Sequence, residues 1–155
     1  MEALLLLGGN IGDVSATMER ADEMIGEQVG TVLSRSRDHW TEPWGFQDDR
    51  LFLNRALVVG TELSPQSLLE KCLDIERRLG RTKDGGERYS ARTVDIDLLL
   101  CEDQVISSPD LLLPHPRMHE RTFALAPAAD VAPDWSHPLL NRTVLTLLND
   151  VLRTV

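Results

Sequence analysis

Cysteine is scarce in this chain. Cys72 and Cys101 are the only two; they stand in no metal-ligand or redox spacing, and each falls in an apolar pattern where a small hydrophobe would serve. Packing in a reducing compartment is their expected role. Long apolar runs are missing as well. Leu4 to Leu7 is a short strand's worth, with neither a basic leader nor a small-residue cleavage site, and no later run approaches a membrane span. A soluble, cytoplasmic protein with no membrane contact is expected. Positive charge is in deficit: 16 Lys and Arg face 25 Asp and Glu, a formal net charge of −9, which argues against a general nucleic-acid binder. Neither G-x-G-x-x-G nor G-x-x-x-x-G-K-[ST] occurs, which excludes the two commonest phosphate-binding loops, and there is no internal repeat or low-complexity tract. What remains, 155 residues at 42% hydrophobic, fits one domain spanning 1–155 with a sizeable core.

The most informative stretch present is Arg92-Thr93-Val94-Asp95-Ile96-Asp97-Leu98-Leu99-Leu100. Side chains alternate across a strand, so Asp95 and Asp97 share one face with Thr93, while Val94, Ile96 and Leu98 take the other. Two close carboxylates at an apolar strand repel each other and resist desolvation unless a cation joins them. Mg²⁺ suits that place, because it takes oxygen ligands and is usually held by one or two carboxylates plus substrate phosphates. On a half-exposed strand the same D-x-D is often only a solvated face. A basic stretch precedes it: Arg77, Arg78, Arg81, Lys83, Arg88 and Arg92 stand against Asp84 and Glu87, a net-positive segment in an acidic chain that suits a small polyphosphate. Arg77 and Arg78 are accounted for by the last turn of a helix, where cations complement the dipole.

The order of elements is read from periodicity and breakers. Glu2 to Leu7 reads as a buried strand and Gly8 to Gly12 as a turn, with Asp13 an N-cap. Val14, Met18, Ala21, Ile25 and Val29 recur at helical spacing, and Gly30 stands where a C-cap glycine belongs. Thr31 to Trp40 reads as a polar strand, 41–50 as a loop carrying two aromatics, and Phe52 to Val59 as a strand. Ser64-Pro65 opens a helix with Leu68, Cys72, Ile75 and Leu79 on its apolar stripe and Glu76 beside it. A loop from Thr82 to Ala91, able to close over a ligand, leads into the Asp95/Asp97 strand. Met118 to Leu125 suggests a short helix, Pro127 to Pro138 an irregular connection, and Asn141 the cap of a last helix. The order β-α-β-β-α-β with a tail fits an α+β, ferredoxin-like domain: a mostly antiparallel sheet covered by helices in three layers.

Five motifs, Gly8-Gly9-Asn10-Ile11-Gly12-Asp13, Thr41-Glu42-Pro43-Trp44-Gly45, Phe52-Leu53-Asn54, Arg92 to Asp97, and Leu113 to Arg121, lie in register over nearly the whole chain. Together they resemble the 6-hydroxymethyl-7,8-dihydropterin pyrophosphokinases of folate biosynthesis. The resemblance implies an ATP-dependent diphosphokinase that moves the β,γ-diphosphate of ATP to the hydroxymethyl group of a reduced pterin and releases AMP. It implies two Mg²⁺ ions on Asp95 and Asp97. It implies phosphate contacts from Arg92, His115 and Arg121, basic residues Arg81 and Lys83 in or beside the closing loop, and Glu76 near the nucleotide. For the pterin it implies stacking on Phe52 and Phe123, hydrogen bonding to Asn54, help from Thr41, Pro43, Trp44 and Gly45, and Tyr89 as an aromatic lid. An amide both donates and accepts, as the pterin's amide-like edge requires. Taken without the resemblance, Phe52 and Phe123 read as ordinary core, His115 as a turn histidine bonding its own backbone, and Arg117, His119 and Glu120 as a solvated face.

Some positions depart from the family pattern. Tyr89-Ser90-Ala91 stands where many members have Trp-Gly-Pro, Gly9 replaces a commoner serine, and Asp110 and Leu112 replace an arginine and a threonine of some relatives. The altered lid motivates an alternative: a catalytically inactive ferredoxin-like module that binds nucleotide or pterin. A transferase acting on another acceptor is a third reading. The expected partners are ATP and the reduced pterin, with the protein a monomer.

Overall fold

The computed structural model describes residues 1–42, 51–80 and 94–154. The elements are β1 (Glu2–Gly9), α1 (Val14–Gln28), β2 (Thr31–Arg35), β3 (His39–Thr41), β4 (Phe52–Gly60), α2 (Pro65–Gly80), β5 (Asp95–Cys101), β6 (Ile106–Ser107), β7 (Leu112–Leu113), α3 (Thr122–Val131) and α4 (Val144–Arg153), with a 3-10 turn at Met118–Glu120. The main sheet runs β2-β4-β1-β5, with β3 also on β4, and every pairing is antiparallel. Strand alternation gives this sheet two apolar faces. Ala3, Leu5, Leu7, Leu53, Leu57, Ile96 and Leu98 pack against α1 and α2, whereas Leu4, Leu6, Ala56 and Val58 pack against α3 and α4. The result is the expected three-layer α+β arrangement. None of the described helices is long and apolar enough to cross a membrane.

Local signals explain most boundaries, and the exceptions have physical reasons. Asp13 caps α1 as expected, accepting from the Ala16 amide at 3.2 Å. The first strand does not end at Leu7. It runs to Gly9, because Gly8 pairs with Asn54 on one side and Asp95 on the other, and Gly9 pairs with Leu53. Gly30 is not a left-handed cap either; α1 ends on Val29 with helical backbone, and a Cβ at Gly30 would overlap the Gly60 carbonyl. The expected strand Thr31 to Trp40 is divided at Ser36, whose hydroxyl accepts from the Ala56 amide at 2.8 Å and takes over a ladder position. Helix α3 continues through Pro127, where a connection was expected, since burying Ala124, Leu125, Pro127 and Ala128 offsets the hydrogen bond that proline removes. Thr143, not Asn141, caps α4, accepting from Thr146 N at 3.1 Å, while Asn141 takes a left-handed φ of 57° that asparagine tolerates.

Two polar clusters fix the strands that carry the site. Arg55, buried beside Asn54 in β4, meets Asp38 at 2.8 Å, Glu19 at 2.7 Å and Asp22 at 3.4 Å, tying α1 and the β2–β3 connection to β4. Asp130 of α3 accepts from Arg37 at 3.2 Å and meets His39 Nε2 at 2.8 Å, which pins β3 to α3. Both cysteines are buried and free, as expected of packing residues, and burial pushes their thiols up to about 12 for Cys72 and about 11 for Cys101.

Candidate active site

β5 is the edge strand of the main sheet, and its alternation is the expected one: Val94, Ile96 and Leu98 enter the core under α1 and α2, while Asp95 and Asp97 emerge. Glu76 of α2 holds this strand from behind. Only 6% exposed, it accepts the Ile96 amide at 2.6 Å, so a group named as a nucleotide neighbour carries a structural bond to the residue between the two aspartates. Glu76→Ala is expected to destabilise the protein by about 1–3 kcal/mol, the cost of a buried unpaired amide, whereas Glu76→Gln keeps an acceptor and most of the stability. Urea unfolding of the two variants checks this; equal losses would remove the hydrogen bond as the cause.

In front of the sheet lies a cavity of about 210 Å³ lined by Leu6, Gly8, Thr41, Glu42, Phe52, Asn54, Asp95, Asp97, Arg121 and Phe123. It joins residues from β1, β3, β4, β5 and the start of α3, so five separated segments close on one space. Phe52 and Phe123 are both half-buried rather than core, leaving ring surface for a flat ligand. Asn54 is only 4% exposed, and its Nδ2 donates to Thr41 Oγ1 at 3.2 Å, which fixes the amide plane at the cavity wall. The Arg121 guanidinium stands 5.4 Å from the centre of the Phe123 ring, a cation–π contact. Burial pushes the Asp97 carboxyl above its ordinary value, and the nearby Arg121 charge pulls it partly back.

A second cavity, about 350 Å³, wraps the outer edge of β5 between α2 and the segment 109–116. Its lining includes Leu69, Leu73, Glu76, Leu111, Leu112 and His115, and again Asp95 and Asp97. The two carboxylates therefore stand where the cavities adjoin. His115 follows Pro114, and its Nδ1 accepts the Arg117 amide at 3.1 Å, which is the backbone bond of a turn histidine. The neutral ring must then carry its proton on Nε2, as a donor. Burial first, then Arg121 and Arg117, hold the His115 pKa below its ordinary 6.5. His115 should thus resist protonation as the pH falls through that value; ring resonances titrating at or above it in an NMR pH series would contradict this environment.

Asp95 and Asp97 fit a hard divalent cation of the weakly held kind. Among the described residues no three His, Cys, Asp or Glu side chains converge as a self-sufficient metal site, and two carboxylates facing a cavity suit an ion that completes its shell with phosphates and water. The structure thus brings together nine of the expected residues, namely Thr41, Phe52, Asn54, Phe123 and Arg121 around the first cavity, Glu76 and His115 at the second, and Asp95 and Asp97 at both. Pro43, Trp44, Gly45, Arg81, Lys83, Tyr89 and Arg92, with the closing loop and its altered lid, lie outside the described residues. Gly8, Leu6 and Glu42 in the first cavity, and Leu69, Leu73 and Leu111 in the second, were not among the expected site residues. His119 departs from the expected solvated face: its Nδ1 is buried and its ring stands edge-on to His137 at 6.1 Å.

Two cavities that adjoin at a pair of carboxylates leave room for two ligands beside the same acids, an arrangement that suits a group-transfer enzyme. The model of the 7,8-dihydro-6-hydroxymethylpterin-pyrophosphokinase family matches residues 4–133, and the chain belongs to that family. It is 46% identical over 136 residues to the 2-amino-4-hydroxy-6-hydroxymethyldihydropteridine pyrophosphokinase of Porphyromonas gingivalis, covering 86% of this chain and 92% of that one. The enzyme of the same name from Methylorubrum extorquens is 45% identical, with 85% and 83% covered. Among solved structures, a variant of Plasmodium falciparum HPPK-DHPS superposes with a TM-score of 0.82 at 18% identity, over 98% of this chain. The chain spans 45% of that longer protein, and at this identity the likeness concerns the fold.

Proposed function

We propose that the protein transfers the β,γ-diphosphate of ATP to the hydroxymethyl oxygen of 6-hydroxymethyl-7,8-dihydropterin, with the pterin in the Asn54 cavity, the nucleotide along the edge of β5, and Asp95 and Asp97 between them. The observation that carries this assignment is the sharing of these two aspartates by both cavities. The pterin oxygen forms a bond to the β-phosphorus, the bond from that phosphorus to the bridging oxygen on the α-phosphate breaks, and AMP leaves while the hydroxyl proton is released. Most of the rate then comes from positioning and charge neutralisation.

Each described residue has a defined task. Asn54, fixed by Thr41, reads the polar edge of the pterin, and Phe52 and Phe123 take its faces. Arg121, held against Phe123 and felt electrostatically by both Asp97 and His115, places a cation beside the transferred phosphates. His115 donates from Nε2 while neutral. Asp95 and Asp97 would hold two Mg²⁺ ions, which supply charge neutralisation for the triphosphate when bound. Arg81, Lys83 and Arg92 are assigned to the phosphates, and Pro43, Trp44, Gly45 and Tyr89 to the pterin, on the family pattern alone. Glu76 acts through the strand it anchors. Residues 1–155 are read as one pyrophosphokinase domain working as a monomer. The two free thiols suit the cytoplasm.

The test is AMP formation from Mg-ATP and the pterin, with pterin-free and EDTA controls. AMP that depends on both pterin and metal supports the assignment. A folded protein that binds both substrates and forms no AMP would contradict it and leave a binding module.

A further inference from the structure

The geometry points to Gly8 as a positioning residue for pterin selection: we propose that the absence of a side chain there is what lets the Asn54 amide stand in its reading position. This rests on the pterin reading of the Asn54 cavity. Gly8 is the central residue of a row across three strands, opposite Asn54 on β4 and opposite Asp95 on β5. All three line the same cavity. Directly opposed Cβ atoms in an antiparallel sheet stand about 4.5–5.5 Å apart, so a side chain at Gly8 would rise between the pterin-reading amide and the first carboxylate.

The contact is quantitative. A methyl group at Gly8 would lie 3.0 Å from Asn54 Oδ1, and the next described neighbour, the Leu53 carbonyl, is 3.8 Å away. An ordinary carbon–oxygen contact is several tenths of an ångström longer than the first distance, so the amide has to move. It has little freedom to do so, being 4% exposed and bonded through Nδ2 to Thr41 Oγ1. Giving way by the few tenths of an ångström that the methyl requires strains that 3.2 Å bond and re-aims both the donor and the acceptor. Backbone conformation is not the reason for glycine here. Gly8 lies within the β1 ladder and, unlike Gly12 with its φ of 70°, is not among the glycines with positive φ. Alanine would therefore be accommodated by the backbone and would lower the entropy of the unfolded chain, so the substitution should not cost stability through the main chain. The demand for glycine is local to the amide and so to the ligand.

The experiment compares Gly8→Ala, Asn54→Ala and the double variant by steady-state kinetics in each substrate, with thermal melting. Gly8→Ala should raise KM for the pterin by about tenfold or more, the cost of one misdirected hydrogen bond, with KM for ATP unchanged and any fall in melting temperature limited to the loss of the Asn54–Thr41 bond. Because the effect passes through Asn54, the double variant should match Asn54→Ala alone rather than multiply the two losses. Unchanged pterin KM in Gly8→Ala alongside a weakened Asn54→Ala overturns the inference about Gly8 and leaves the pocket assignment standing. Multiplied losses in the double variant overturn it as well, since the methyl would then act without the amide. Unchanged pterin KM in Asn54→Ala overturns the pocket assignment itself, and the inference with it. Should Gly8→Ala fail to fold, the double variant lacks the opposing oxygen and is expected to fold; its failure overturns the inference.

Discussion

Replacing Asp97 with alanine is expected to lower kcat by about three orders of magnitude, or about 4 kcal/mol of transition-state stabilisation, while the fold is kept. The functional loss follows from the position of Asp97 on both cavities, where removing one of two carboxylates removes half of the proposed cation site. The stability side has the opposite sign. Burial raises the Asp97 pKa above its ordinary 3.8, meaning that the folded protein binds that proton more tightly than the unfolded chain does. Stability is then full below the unfolded pKa, is lost as the pH rises through the folded pKa, and carries the whole penalty at neutral pH. In EDTA, Asp97→Ala should therefore be at least as stable as the parent at neutral pH, with the difference closing in acid. Kinetics and urea unfolding at both pH values check the pair of statements. A variant with near-normal turnover would remove the carboxylates from the chemistry, and one much less stable at neutral pH would make Asp97 structural.

Asn54→Ala is expected to raise KM for the pterin by about 100-fold and leave KM for ATP unchanged. Two hydrogen bonds in a desolvated pocket, at about 1–1.5 kcal/mol each, give that magnitude. The amide is a cleaner probe than Phe123, because Arg121 stacks on that ring and its truncation would disturb the phosphate side as well. Asn54 has a single described side-chain tie, to Thr41, and lies on the far side of Gly8 from Asp95. Pterin titration by fluorescence and nucleotide titration by calorimetry separate the effects. Equal weakening of both ligands would mean that Asn54 supports the sheet rather than reads a ligand.

The pattern that could be read in advance was the local one. Asp95 and Asp97 on one face require only a two-residue period, and the α1 and α2 stripes only a helical period, so both were legible in the sequence. The layered class followed from element order. What escaped depends on register. Gly8 looked like a turn residue because glycine and asparagine mark turns, and only its pairing with Asn54 and Asp95 shows it as strand and as cavity floor. Leu69, Leu73 and Leu111 carried no distinguishing signal, since a leucine beside a cavity has the same periodicity as one in the core. His119 has exposed neighbours in the sequence, yet the short 3-10 turn leaves its Nδ1 buried and its ring edge-on to the buried His137. Pro127 reads as the start of an irregular connection, but tertiary burial of the α3 face prevails over propensity.

The measurement that tests the account most directly is a crystal structure of the protein with Mg²⁺, a non-hydrolysable ATP analogue and the pterin. The pterin is expected between Phe52 and Phe123 with its edge on Asn54, the nucleotide along the β5 edge beside Leu73 and His115, and Mg²⁺ held at Asp95 and Asp97. A pterin seated in the other cavity, or metal bound away from both aspartates, would contradict it.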